Sequence, residues 1–130
     1  MDIEQKKKHI LFADDDPVTR RLFGSKLASA GFEILYAKDG NEVVDMAKRF
    51  QPDLVVTDID MPNKDGIEAA YILKGDIETN HIHIIFLTNS DLSVETEKAM
   101  KELVGAEYMS KSIDLTEFIE RVKKTFVTPE

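Results

Sequence analysis

Five short apolar runs, separated by longer amphipathic stretches, constrain this chain more than any other feature of its sequence. The runs occupy residues 10–13, 34–37, 54–56, 84–87 and, more weakly, 107–109. Apart from the last they are unbroken rather than alternating, as strands buried on both faces should be. The stretches between them carry helical spacing. Asp16-Pro17 opens the first as N-cap and first helical residue, Val18, Leu22, Phe23 and Leu27 form its apolar stripe, and Gly31 ends it. Gly24 lies inside that helix. Val43, Val44, Ala47 and Phe50 mark a second helix, and Ile67, Ala70 and Leu73 or Lys74 a weaker third. Val94, Ala99, Met100 and Leu103 mark a fourth, and Leu115, Phe118, Ile119, Val122 and Phe126 a fifth. Repeated alternation of strand and helix implies a parallel sheet with helices on both faces, an α/β fold. A chain of 130 residues suits one domain. We expect residues 1–8 to be a polar extension, 9–127 the domain and 128–130 a tail.

Ligands of such sheets bind at the carboxyl ends of the strands, where strand order reverses. The first strand runs into Asp14-Asp15-Asp16 and the third into Asp58-Ile59-Asp60. The fourth ends in Thr88-Asn89-Ser90 and the fifth in Ser110-Lys111-Ser112. If these ends share one edge, carboxylates, a hydroxyl and an ammonium converge. Clustered carboxylates repel and need a cation, and oxygen ligands without Cys or His suggest a hard ion, Mg²⁺ first. Metal, carboxylate, hydroxyl and lysine are what phosphoryl transfer requires: a carboxylate can take the phosphoryl group, while metal and lysine neutralise its oxygens.

Those motifs resemble the receiver domains of two-component signalling from His9 to Phe126. Phe12-Ala13-Asp14-Asp15-Asp16-Pro17 resembles the acidic-pair signature. Pro52-Asp53-Leu54-Val55-Val56-Thr57-Asp58-Ile59-Asp60-Met61-Pro62, with Gly66 behind it, resembles the phosphoacceptor strand and turn. Phe86-Leu87-Thr88 resembles the hydroxyl strand, and Gly105-Ala106-Glu107-Tyr108-Met109-Ser110-Lys111 the lysine strand. The resemblance implies a flavodoxin-like, doubly wound sheet of order 2-1-3-4-5 with five helices. It implies that Asp58 is the phosphoacceptor and also a metal residue, that Asp15 binds Mg²⁺ directly and Asp14 through water, and that Asp60 offers its backbone carbonyl. It makes Lys111 a phosphoryl partner, Thr88 a hydroxyl that moves toward the phosphoryl group, and Tyr108 a side chain that turns inward with it. The implied partners are a sensor histidine kinase or phosphotransfer protein and a downstream protein that docks on the fourth and fifth helices and fifth strand. Output is by protein contact rather than catalysis on other molecules.

Three departures stand out. Ser112 follows Lys111 where the family usually has proline after a cis bond, so a trans bond is expected here. Asn89 replaces the usual Ala or Gly beside the phosphoryl position, where its amide should hinder water and donor alike. The segment between Ala106 and Tyr108 is one residue shorter than usual.

Composition narrows the alternatives. Seventeen basic against twenty-five acidic residues give a net charge of −8, which disfavours nucleic acid and anionic membrane as direct partners. No cysteine is present, so thiolate chemistry is excluded. The first eight residues carry charge without an apolar run, so a cytoplasmic protein without signal peptide or membrane span is expected. A haloacid-dehalogenase-type phosphatase would also use Asp-x-Asp, Thr and Lys, but places its Asp-x-Asp on the first strand. A phosphorylation-independent interaction domain would have lost acidic residues. A nucleotide binder would carry a Gly-rich loop after the first strand. Asp16 reads as a helix cap, Lys6-Lys7-Lys8 as a solvated tail, and His9, His81 and His83 have no ligand spacing to the acidic cluster.

Overall fold

The computed structural model describes residues 6–89 and 91–127, except for the side chain of Leu103; Ser90 and the tail at 128–130 lie outside the described residues. Strands and helices alternate from end to end: β1 (His9–Ala13), α1 (Pro17–Ser29), β2 (Glu33–Ala37), α2 (Gly40–Phe50), β3 (Leu54–Thr57), α3 (Gly66–Lys74), β4 (His83–Thr88), α4 (Val94–Val104), β5 (Glu107–Ser110) and α5 (Leu115–Thr125). All strand pairs are parallel and the order is β2-β1-β3-β4-β5, as expected. Each strand extends one or two residues beyond its apolar run, because pairing continues past the residues that must be buried.

Successive side chains of a strand point to opposite faces, and two cores follow from this. Leu11, Ala13, Val55, Ile84 and Phe86 meet Val43 and Ala47 of α2, Ala69, Ala70 and Leu73 of α3, and Met100 and Val104 of α4. Ile10, Phe12, Leu54, Val56, Ile85, Leu87 and Met109 meet Phe23 and Leu27 of α1 and Phe118 and Val122 of α5. The Phe23 ring stacks with Phe12 and meets Phe118 edge-on, a contact through which α1, β1 and α5 lock together. The central strands are buried almost throughout, whereas β2 and β5, at the sheet edges, are partly exposed.

The helix stripes needed correction. On α1 the buried positions are Phe23, Gly24 and Leu27, while Val18 and Leu22 are 62% and 50% exposed. Gly24 explains the shift: its missing side chain makes room for Tyr36 of β2, whose hydroxyl would lie 2.1 Å from a Cβ there. The helix is drawn onto the sheet along that line and turns Val18 and Leu22 outward. Phe50 and Val94 are also exposed, near the ends of their helices, where the packed face runs off the sheet. Gly31, with φ 101°, turns the chain just past the α1 cap at Ala30.

Truncating Phe23 to Ala should cost about 3–5 kcal/mol of stability, and Val18→Ala less than about 0.5 kcal/mol. Urea unfolding of the two variants checks this assignment of the α1 face; comparable losses would contradict it.

Candidate functional site

Parallel pairing brings the carboxyl ends of β1, β3, β4 and β5 to one edge, on both sides of the point where strand order reverses between β1 and β3. Asp14 follows β1 and Asp58 follows β3, and the Asp58 amide donates to the Ala13 carbonyl at 2.9 Å. Both side chains are buried, 1% and 6% exposed by residue, while Asp15 is exposed. One carboxylate oxygen from each of Asp14, Asp15 and Asp58 lies within 4.8 Å of the others.

Lys111 reaches this cluster from the end of β5. Its Nζ lies 2.9 Å from Asp58 Oδ2 and 2.5 Å from Asp14 Oδ2. The backbone holds the lysine in place, since its amide donates to the Thr88 carbonyl at 3.1 Å. No cis peptide bond occurs among the described residues, so Lys111-Ser112 is trans, and Ser110 and Ser112 join their hydroxyls at 2.8 Å across the turn. The Asp14 contact has the distance of an ion pair but not the angles of a hydrogen bond, leaving Asp14 Oδ2 buried without a directed donor. The other Asp14 oxygen accepts from the Asp16 amide at 2.9 Å, and Asp58 Oδ1 from the Ile59 amide at 2.7 Å.

The electrostatics follow from this packing. Burial pushes the Asp14 carboxyl above its ordinary value, and the Lys111 ammonium and Asp16 amide only partly pull it back. For Lys111, burial acts to lower the pKa, but the ion pairs with Asp14 and Asp58 outweigh it and hold the ammonium above its ordinary range. One ammonium therefore pairs with two of the three carboxylates. The donor set is all oxygen, with one carboxylate oxygen from each of Asp14, Asp15 and Asp58 close to the others, so the residues fit a small, hard divalent cation.

Asp16 stays outside the cluster. It caps α1, accepting from the Val18 amide and the Thr19 hydroxyl, and these bonds hold its carboxyl below the ordinary range. The Asp60 side chain is exposed and does not join the three carboxylates. Thr88 is buried at the end of β4, opposite Ser110 in the register. Tyr108 is partly buried beside a hollow lined by Glu97, Lys101 and Arg121, and burial raises its phenol pKa, with Glu97 and Asp91 adding to the effect. Asn89 is exposed just past Thr88.

The loop after Asp58 is clamped by Gly66, which the resemblance placed at this turn, and by Asp39, Gly40 and Asn63, which sequence reasoning did not single out. Gly66 donates to the Ile59 carbonyl at 2.8 Å, and a Cβ at Gly66 would strike the Asp58 carbonyl. Asn63, at φ 68°, donates its side-chain amide to Asp39 Oδ2 at 2.9 Å, while Asp39 Oδ1 caps α2 by accepting from the Glu42 amide. The Gly40 amide adds a bond to the Lys64 carbonyl at 2.8 Å. The legible signal was Asp39-Gly40 before an apolar-periodic segment, a helix N-cap pattern.

An α/β sheet of this order, with an acidic pocket and a lysine at its carboxyl edge, defines a receiver-type signalling fold. A sequence profile described as "Response regulator receiver domain" matches residues 10–123. The chain belongs to that family. It is 32% identical over 116 residues to the polar-differentiation response regulator DivK of Brucella anthropi, covering 89% of this chain and 94% of the relative. Among solved structures it resembles the BeF3-activated N-terminal receiver domain of Klebsiella pneumoniae RstA, with 26% identity, a TM-score of 0.83 and coverage of 93% of this chain and 100% of that one. The chemotaxis response regulator CheY4 of Vibrio cholerae, at 24% identity, TM-score 0.83 and the same coverages, shares the fold. No helix among the described residues is long and apolar enough to cross a membrane.

In protein kept free of divalent metal at pH 7, Asp14→Asn should raise unfolding stability by about 1 kcal/mol, because it removes a charge that burial disfavours and leaves Lys111 paired with Asp58. A loss of stability in denaturant titration would show that the buried carboxylate is favourable without metal.

Proposed function

We propose that this receiver domain is a phosphoacceptor switch in which Asp58 takes a phosphoryl group from a phosphohistidine of a sensor kinase or phosphotransfer protein. The observation that carries the reading is the convergence of Asp58 with Lys111, Asp14 and Asp15 at one sheet edge. An Asp58 oxygen attacks phosphorus, a P–O bond forms, the P–N bond breaks, and the imidazole leaves with the electron pair. Lys111 faces the oxygens of the transferred group and limits their charge. Asp15 would bind Mg²⁺ directly, Asp14 would support it, Asp58 would share it, and Asp60 would offer its backbone carbonyl. Bound there, Mg²⁺ supplies the positive charge that the crowded carboxylates and incoming phosphoryl oxygens require.

Thr88 lies beside Lys111 at the end of β4, where its hydroxyl can hydrogen-bond the phosphoryl group and draw the start of α4 with it. Tyr108 then turns inward, changing the face of α4, β5 and α5 on which a downstream protein docks. The BeF3 activation named for the RstA receiver supports this reading, since BeF3 has the shape and charge of a phosphoryl group. Output by contact, rather than turnover of a small phosphate ester, distinguishes the switch from a phosphatase built of similar residues.

Incubation with a small phosphodonor and Mg²⁺ should add one hydroxylamine-labile phosphoryl group at Asp58, detectable by intact-protein and peptide mass spectrometry. Undiminished labelling in Asp58→Asn would refute the assignment. Asn89→Ala should speed both phosphorylation and dephosphorylation several-fold, on the order of 1 kcal/mol in barrier; unchanged or slower rates would show that the amide does not guard the pocket.

A further inference from the structure

We infer that Arg20, on the first turn of α1, is a positioning residue for the cation site, acting through the backbone carbonyl of Asp14 to fix the aim of both the Asp14 and the Asp15 carboxylates. This inference rests on the proposed metal-dependent function of the same pocket. The guanidinium Nη1 donates to the Asp14 carbonyl oxygen at 2.6 Å, a short charge-assisted bond spanning six residues. That carbonyl belongs to the peptide plane joining Asp14 to Asp15. Rotating the plane changes ψ of Asp14 and φ of Asp15, and so swings the exposed Asp15 side chain relative to the buried Asp14 and Asp58.

The segment is held at three other points. The Asp14 amide donates to the Ala37 carbonyl at 3.1 Å, Asp14 Oδ1 accepts from the Asp16 amide, and Asp16 caps α1. None of these acts on the Asp14 carbonyl. Arg20 supplies that restraint, and its own place is set by α1, since its amide donates to the Asp16 carbonyl at 3.1 Å. The helix and the carboxylate peptide therefore move as one body. Three carboxylates converge here, of which Asp14 and Asp58 pair with Lys111, and the bond from Arg20 brings a further positive charge to the backbone of the same segment. An arginine suits the task because its planar fork reaches past the α1 turn and stays charged at every working pH.

The test compares wild type, Arg20→Met, Arg20→Lys and Asp15→Asn by Mg²⁺ titration, followed by calorimetry and by amide shifts in NMR, alongside urea unfolding without metal. Arg20→Met keeps most of the apolar stem and removes the donor. It should raise the Mg²⁺ dissociation constant about tenfold, the low end of what losing an outer-shell partner costs. Arg20→Lys, with a single reach of charge to the same carbonyl, should recover part of that loss. Phosphorylation by a small phosphodonor should slow in Arg20→Met at limiting Mg²⁺ and return to near the wild-type rate at saturation. An unchanged Mg²⁺ constant in Arg20→Met, while Asp15→Asn binds more weakly than wild type, would overturn the role of Arg20 and leave the pocket's function standing, even if Arg20→Met lowered stability. Failure of the wild type itself to bind Mg²⁺ would overturn both.

Discussion

The bridge from Lys111 to Asp58 and Asp14 is the interaction on which the carboxyl edge of this sheet depends. Three carboxylates within 4.8 Å repel one another, and two of them are buried where water screens little. One ammonium pairs with two of the three, and burial still holds the Asp14 carboxyl above its ordinary value. The fold accepts this imbalance because the cores on the two sheet faces hold the strand ends regardless. The crowding of these carboxylates is what would give the pocket a preference for a divalent cation.

Around that pocket the supports come from different elements. The cap at Asp16 starts α1 within two residues of Asp14, so the helix that carries Arg20 is tied directly to the acidic pair. The loop after Asp58 is closed by Gly66 and held from the side by Asp39, Gly40 and Asn63. One carboxylate, Asp39, caps α2 with one oxygen and restrains the loop with the other, and those bonds hold its pKa down. Lys111 draws its position from the Thr88 carbonyl, so the lysine and the hydroxyl proposed as the switch share a backbone contact. A change at Thr88 has a short path to Lys111 and to β5.

Much of this was legible in the residues. Unbroken apolar runs gave the buried strands, because parallel strands covered on both faces have no polar side to show. The acidic clusters stood at strand ends, so the topology alone brought Asp14, Asp15, Asp58 and Lys111 together. The Asp16-Pro17 cap is legible because capping is a local matter of one side chain, the Val18 amide and the Thr19 hydroxyl. The α1 stripe was less legible, since the contact that turned it, Tyr36 over Gly24, joins residues on different elements. The Asp39–Asn63 and Arg20–Asp14 bonds were missed for the same reason: neither a loop amide nor a helical arginine announces its acceptor in sequence.

Equilibrium unfolding at rising Mg²⁺ concentration tests the central claim most directly, that the carboxyl-edge cluster is a cation site completed by folding. A ligand that binds only the native state stabilises it by RT ln(1 + [L]/Kd). The account predicts that wild-type stability climbs with Mg²⁺ along that curve at constant ionic strength, and that Asp15→Asn flattens it. Wild-type stability that does not respond to Mg²⁺, or responds equally when Asp15 is neutralised, would contradict it.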